Sequence, residues 1–491
     1  MSVDVVLVNP NDKERTYGSL AGEFTSIEPP LWLALLAAYL RERGFSVAII
    51  DADALGIGPD EVAHRITALD PLLCGLGAVG TNPSASSTPK MAAVRAVLAR
   101  LSGVARKFKT VAFGIHPSAL PEQTLREEKV DFVCRGETFL CITALADALK
   151  NKKGGIESIK GLWSLQNGAV VANGWAEMLE DIDALPFAAW DLLPMDKYRA
   201  HNWHAFGHLE DRSSYVMVYT SLGCPHNCSY CNIHALYGEN SGIRFRSTEK
   251  VLAEIDFLVS KYQVKNFKFL DELFVVNQTR MNEICDGLAA RHYDINIWVY
   301  ARIDTVTEDI LRKLARAGVN WIAYGIEAAS TNVRKGVSKG RFNIDEIKKT
   351  VALTHDLGIY VMGNYMFGLP DDDLSTMQET LDLAKELNCE YANFYTTMAY
   401  PGSKLYEVAL KSGMVLPASW SAYSQFSPDT TPLATHHLTP TEVLRFRDKA
   451  FYEYFSSLSY QEMIRRKFGP ETLAHVKRLL DYKIDRKLLR S

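Results

Sequence analysis

The sequence has no long hydrophobic run. Its longest, Leu31-Trp-Leu-Ala-Leu-Leu-Ala-Ala-Tyr-Leu40, falls well short of the roughly 20 residues of a membrane-spanning helix and lacks the setting of a signal peptide. Charge of one sign is also scarce: the net charge is −4 over 491 residues, which gives no signature of nucleic-acid or membrane-surface binding. Cysteine is sparse, and outside one short stretch the remaining five (Cys74, Cys134, Cys141, Cys285 and Cys389) sit singly in apolar surroundings. That spacing excludes a disulfide framework and points to core thiols in a cytoplasmic protein. Internal repeats and low-complexity tracts are absent. A hydrophobic content of 47% with 23% charged residues is that of a globular chain, long enough for two to four domains.

What is present is concentrated in Ser221-Leu-Gly-Cys-Pro-His-Asn-Cys-Ser-Tyr-Cys231. Cys224, Cys228 and Cys231 form a C-x3-C-x2-C spacing directly after the apolar run Tyr215–Tyr219, which reads as a buried strand. Three thiolates on one loop can hold three corners of a [4Fe–4S] cube. With no fourth cysteine nearby, one iron stays open to a ligand other than the protein. The same residues allow a Cys3His zinc site through His226 or His234, although no second knuckle accompanies it, and they allow unligated thiols.

Along the chain, residues 1–150 alternate strand and helix patterns, the sign of a parallel, doubly wound sheet. Its strand ends carry Asn9, the loop 80–87 with Thr81 and Ser84, and the turn Gly114-Ile-His-Pro117, where such sheets bind ligands. A helix is expected at 89–101. Residues 151–213 read as a connector with an Asn167-Gly168 hairpin and three histidines, His201, His204 and His208, taken as surface or linker groups. From 214 to 405 strands are expected at 215–220, 265–270, 295–300, 319–325, 359–367 and 391–398. Helices fall between them at 248–262, 277–291, 307–317, 343–357 and 373–388. Six such units form a partial parallel barrel with its chemistry at the C-terminal strand ends. The tail, 406–491, is helical over 440–456, 459–468 and 470–490, and its aromatic helix either closes the barrel and shapes the substrate site or serves as a packing appendage.

The triad with Tyr230 before its third cysteine resembles the radical S-adenosylmethionine (SAM) superfamily. Later segments match in order: Phe269-Leu-Asp-Glu272, Tyr300-Ala-Arg302, Tyr324-Gly-Ile-Glu327, Gly363-Asn364 through Pro370, and Ala399-Tyr-Pro-Gly402. The first 150 residues resemble the cobalamin-binding domain that precedes the radical SAM core in one branch, through the Val-Asn-Pro strand end, Glu28-Pro-Pro, Gly114-Ile-His-Pro and Val130-Asp-Phe-Val-Cys-Arg-Gly-Glu137. The resemblance covers residues 3–410. It departs from the family at Ile115, where a second glycine is usual, and at the missing D-x-H-x-x-G motif, which leaves no cobalt-ligating histidine of that kind.

The resemblance implies a [4Fe–4S] cluster on Cys224, Cys228 and Cys231, whose open iron binds SAM and yields a 5′-deoxyadenosyl radical. It implies SAM contacts from Tyr230, Glu272, Arg302, Glu327 and Asn364. Cobalamin contacts are implied from Asn9, Thr81, Ser84, Gly114, His116, Gly136 and Glu137. An external electron donor such as flavodoxin or ferredoxin would reduce the cluster. The expected activity is C-methylation of a small biosynthetic intermediate after hydrogen abstraction, or else cyclisation, rearrangement or oxidation with the same cofactors. A zinc-stabilised binding protein on the same fold is the alternative of another class. Tyr365, Tyr395, Tyr400, Trp420 and the histidine-rich linker are the candidate substrate walls.

Overall fold

The computed structural model describes residues 3–80, 82–151, 155–238 and 242–490. Apolar runs of four to six residues become the buried centre of the first sheet. Its parallel strands are β1 (Val5–Asn9), β2 (Val47–Asp51), β3 (Leu73–Ala78), β4 (Lys109–Gly114) and β5 (Phe132–Cys134). Their spatial order is β2-β1-β3-β4-β5, the flavodoxin-like winding, which puts a topological switch between β1 and β3. The connector hairpin β6 (Leu162–Gln166) and β7 (Ala169–Ala172) turns on Asn167 and Gly168, both at positive φ, and continues this sheet antiparallel to β5.

One local expectation fails here. Residues 83–87, read as loop, belong to a helix, Pro83–Leu101, that starts six residues earlier than expected. Asn82 caps it, accepting from the Ala85 amide, and Pro83 takes the first position, where a missing N–H costs nothing. Thr81 lies outside the described residues.

The second sheet holds β8 (Tyr215–Val218), β11 (Asn266–Phe269), β12 (Asn296–Ala301), β13 (Val319–Glu327), β14 (Tyr360–Phe367) and β15 (Tyr391–Thr396), all parallel and in chain order. A separate ribbon, β9 (Ser221–Gly223) with β10 (Ile243–Phe245), projects from the end of β8. The five long helices between barrel strands each begin on a side-chain cap: Ser247, Asn277, Thr307, Asn343 and Asp373. The period of two along the strands divides inside from outside. Trp298 and Tyr300 of β12, Met362 and Asn364 of β14, and Tyr391, Asn393 and Tyr395 of β15 face an inner chamber. Tyr365 points the other way, stacked on Phe394 in the core with its hydroxyl beside Cys389, and so lines no chamber wall.

The tail folds back over the open side of the barrel as Pro440–Ser456 and Leu458–Asp481, the latter broken at Gly469 (φ 86°). The last helix ends at Asp481 rather than 490, with a short turn over Lys487–Leu489. Its end returns to the first domain: Arg478 pairs with Glu23 at 2.8 Å, and Phe24 packs on Tyr482 and His475 with centroids 5.0 Å apart. The five isolated cysteines are buried thiols.

Candidate functional site

The triad loop leaves β9 at Gly223, where the chain turns with φ 97° and a Cβ would stand 2.5 Å from the Gly242 carbonyl oxygen. Glycine is therefore required immediately before Cys224. The base of the loop is anchored by Asp271, fully buried at the end of β11. It accepts the Thr220 amide at 2.6 Å and the Ser221 hydroxyl at 2.7 Å, and it bonds the Thr220 hydroxyl as well. Arg280 donates to the Thr220 carbonyl at 2.6 Å, which closes the network.

Cys224, Cys228 and Cys231 are half-buried and unbridged. Burial pushes the Cys224 thiol up to about 12, so ligation by a cation is what makes its thiolate affordable. Among the described residues, no group of three or more thiols, imidazoles or carboxylates containing these cysteines brings its donor atoms within 4.8 Å of one another. Thiolates around one tetrahedral zinc stand about 3.8 Å apart, given Zn–S bonds of about 2.3 Å. At least one pair of the three sulfurs stands wider apart than that, and three thiolates on one loop suffice for three corners of a [4Fe–4S] cube. His234 bonds the His226 carbonyl through Nε2 at 2.8 Å and leaves its buried Nδ1 without a partner.

The five residues expected to meet SAM, Tyr230, Glu272, Arg302, Glu327 and Asn364, all line one cavity of about 230 Å³ at the C-terminal ends of the barrel strands. Glu327 ends β13 with φ 65°, at a register shift between Gly325 and Glu327, which swings its carboxylate out of the sheet. It accepts from the Tyr230 hydroxyl at 3.1 Å and from the Lys339 ammonium. Arg302 is held flat by a two-point bond to Asp304, both at 2.8 Å. Asn364 donates to the Tyr324 carbonyl at 3.2 Å and accepts from Asn393 at 3.0 Å.

Both carboxylate oxygens of Glu272 are sealed from water without a side-chain partner, and burial outweighs the nearby Gly223 and Glu272 amides to raise its pKa to about 8. Folded Glu272 thus keeps its proton across a range where the unfolded chain, at the ordinary 4.5, releases it. Stability of the cofactor-free protein therefore falls as pH rises from about 4.5 to about 8. Glu272→Gln is expected to flatten that fall, measured as the difference between melting temperatures at pH 5 and pH 8.

A second chamber of about 320 Å³ fills the barrel and shares Tyr300, Asn364, Tyr395, Gln425, Asn82 and Ala85 with the first cavity. Tyr395 and Tyr400 fall on these walls as expected, and His201 reaches the chamber stacked on Trp203. His204 is no surface group. It is buried among Trp203, Tyr215 and Trp298, and that desolvation drives its imidazole down to about 3. His208 is exposed. Trp420 packs edge-on against His116 with centroids 4.4 Å apart and lines neither cavity.

Residues 218–384 match the family described as the radical SAM superfamily, and residues 19–146 match the B12 binding domain. Over 431 residues the chain is 30% identical to the uncharacterized methyltransferase PH0819 of Pyrococcus horikoshii, covering 87% of this chain and 88% of that protein. The chain belongs to the B12-binding branch of the radical SAM superfamily. It is also 26% identical to the anaerobic magnesium-protoporphyrin IX monomethyl ester cyclase of Rubrivivax gelatinosus, over 82% of this chain and 69% of that one. In fold, it superposes on the radical S-adenosylmethionine methyltransferase TsrM of Kitasatospora setae with a TM-score of 0.70 at 17% identity, covering 94% of this chain and 90% of TsrM.

For this radical SAM enzyme the cofactors of the branch are a [4Fe–4S] cluster, SAM and cobalamin, and the first two fit the donor sets just described. The corrinoid side is less open. Gly114 (φ 116°) lies so close to β3 that a Cβ would stand 2.4 Å from the Ala78 oxygen, and the helix start at Asn82 and Ala85 opens onto both cavities. These edges lie at the carboxyl ends of the first sheet, where a doubly wound sheet binds its ligand. Several side chains expected there are committed elsewhere. Asn9 donates to Asp51 at 2.7 Å, and Tyr198 of the connector donates to the same carboxylate at 2.7 Å. Glu137 accepts the Leu179 amide at 2.7 Å and pairs with Arg244 of β10 at 2.6 Å, so it clasps the two domains together. Gly136 bonds Ser118 through its amide. His116 is buried, sits 3.3 Å from the Thr88 hydroxyl and is driven down to about 3 by desolvation, which keeps the ring neutral and turned into the packing. Ser84 lies in the first turn of the capped helix.

Lys339 is the site residue that motif reading passed over, and Asp271, inside the Phe269-Leu-Asp-Glu272 match, was given no role of its own. Lys339 lies between Ser338 and Gly340, twelve positions past Glu327, with no periodic signal to single it out.

Proposed function

We propose that the enzyme is a cobalamin-dependent C-methyltransferase that abstracts a hydrogen from an unactivated carbon of a small intermediate held in the barrel chamber. The observation that carries this reading is the join between the two cavities: a substrate in the chamber meets the SAM cavity along Tyr300, Asn364, Tyr395 and Gln425. The similarity along most of its length to a protein named as a methyltransferase supports the same outcome. When bound, the reduced cluster supplies the electron that cleaves SAM, and cobalamin carries the methyl group.

In this reading Cys224, Cys228 and Cys231 hold the cluster. Arg302, pre-oriented by Asp304, meets the SAM carboxylate as a fork. Glu327, fixed by Tyr230 and Lys339, accepts from the ribose or amino group. Glu272, neutral near pH 7, can donate a proton to a hydrogen bond rather than repel a cosubstrate carboxylate. The tail helices exclude water from the chamber. An acidic electron carrier of the flavodoxin or ferredoxin type would deliver the reducing equivalents. The likeness to the cyclase supports a second reading, radical cyclisation or oxidation without methyl transfer.

Anaerobic reconstitution with iron, sulfide and hydroxocobalamin, followed by SAM and reductant, separates the readings. Brown protein that retains cobalamin and forms both 5′-deoxyadenosine and S-adenosylhomocysteine is the expected result. Deoxyadenosine alone, in the presence of the accepted substrate, would favour the cyclase-like outcome. Zinc in place of iron with no SAM cleavage would refute both.

A further inference from the structure

The wall of the barrel chamber opposite the sheet comes from the helix Pro440–Ser456, which presents Arg447, Asp448, Phe451 and Tyr452. Arg447 is 6% exposed. Its Nε donates to the Phe394 carbonyl and its Nη1 to Asp448, both at 2.8 Å. Its Nη2 has no acceptor among the described residues, yet it is not one of the atoms sealed from solvent, so it opens onto the chamber. Asp448 is shared with a second buried guanidinium, Arg486, at 3.0 and 3.1 Å. Two cations on one carboxylate leave an excess positive charge at the chamber wall, and a buried charge of this kind calls for an anion. On the sheet side, by contrast, the buried Lys268 lies 3.3 Å from Glu28, so its charge is matched.

Beside polar groups such as Asn202 and Asn393, the chamber has a flat aromatic wall of Trp203, Trp298, Tyr300 and Tyr391. Trp203 stands at 75° to Trp298 with centroids 5.1 Å apart and lies near-parallel to Tyr391. A chamber of about 320 Å³ is at the low end of ligand sites, which run from about 300 to 1,000 Å³, and it has no room for a tetrapyrrole. From these observations we propose that the chamber takes a planar, one- or two-ring carboxylic acid, its carboxylate on Arg447 and its reacting carbon at the boundary formed by Tyr300, Asn364 and Tyr395. This rests on the methyltransferase reading for the reaction but not for binding. A single free guanidinium nitrogen suits one carboxylate oxygen; a phosphate draws several donors at once.

The test is calorimetric titration of the reconstituted protein, in the presence of SAM, with indole-3-carboxylate, indole-3-carboxamide, benzoate, phenyl phosphate and coproporphyrin. The acid is expected to bind at least tenfold more tightly than its amide, about 1.4 kcal/mol. Phenyl phosphate should bind more weakly than benzoate, and coproporphyrin should not bind. Arg447→Met should shrink the acid preference below threefold while amide affinity holds, and Arg447→Lys should restore part of it. Equal affinity for acid and amide in the unaltered protein overturns the proposal, whether or not the variants fold. So does an acid preference that survives Arg447→Met, tighter phenyl phosphate, or porphyrin binding. A protein that prefers the acid yet makes no S-adenosylhomocysteine with its accepted substrate would sink the methyltransferase reading alone. Methyl transfer without acid preference would sink this one alone.

Discussion

Replacing Cys228 with alanine is expected to give a folded protein that has lost the brown absorption of the cluster and forms no measurable 5′-deoxyadenosine. The loop is held by the backbone and Asp271 contacts rather than by metal: the Cys231 amide bonds the Cys228 carbonyl at 3.1 Å, and Ser229 is tied at both ends, to Val337 at 3.2 Å and to Leu405 at 2.8 Å. Loss of one thiolate therefore removes a cluster ligand without removing the loop. Iron and sulfide content per chain, circular dichroism and product chromatography check the three parts of this expectation. An Ala variant that kept its iron and its activity would show that the cluster is held elsewhere.

Asp271→Ala is expected to do the reverse, damaging the fold first and the chemistry through it. The carboxylate sits at zero exposure and takes three donors from Thr220 and Ser221, with Arg280 bonded to the same threonine. Removing it strands those donors and leaves the buried Arg280 without its neighbouring counter-charge. Breaking a buried arrangement of this kind costs about 3–5 kcal/mol. Asp271→Asn preserves the shape and part of the bonding, and a cost of about 1–3 kcal/mol is expected. Denaturant midpoints at constant slope would measure both, and iron content should fall in the same order. A loss under about 1 kcal/mol for the alanine variant would mean that the loop does not depend on this anchor.

Much of this architecture is written locally. Barrel strands and helices begin within a residue or two of where alternation and caps place them, because each unit repeats the same apolar run, side-chain cap and amphipathic face. That the residues expected to meet SAM come together was legible for the same reason: Arg302, Glu327 and Asn364 sit at or near strand ends, where a parallel barrel puts its chemistry. The partners that give those residues their roles were not legible. Glu137 looked like a ligand-loop carboxylate, and only the fold reveals Arg244 beside it, 107 positions away. His204 reads as a linker histidine until the connector packs it between aromatic rings. The early start of the helix at Pro83 was obscured by serines and a second proline, residues that in isolation favour turns. Arg447 carries no motif at all, and its meaning comes from sharing Asp448 with Arg486.

The return of the last helix to the loop that follows β1 has a consequence for how the enzyme is made. Arg478 meets Glu23 across a separation of 455 residues, and Phe24, Tyr482 and Leu479 all stand on the chamber wall. Contacts between such distant parts of a chain carry the largest loop-closure cost and form late in folding. During synthesis the barrel strands and the triad loop emerge well before the segment that seals the chamber. The nascent enzyme thus has its metal-binding loop before it has a covered reaction vessel, and iron can reach an open barrel that the tail helices later cover.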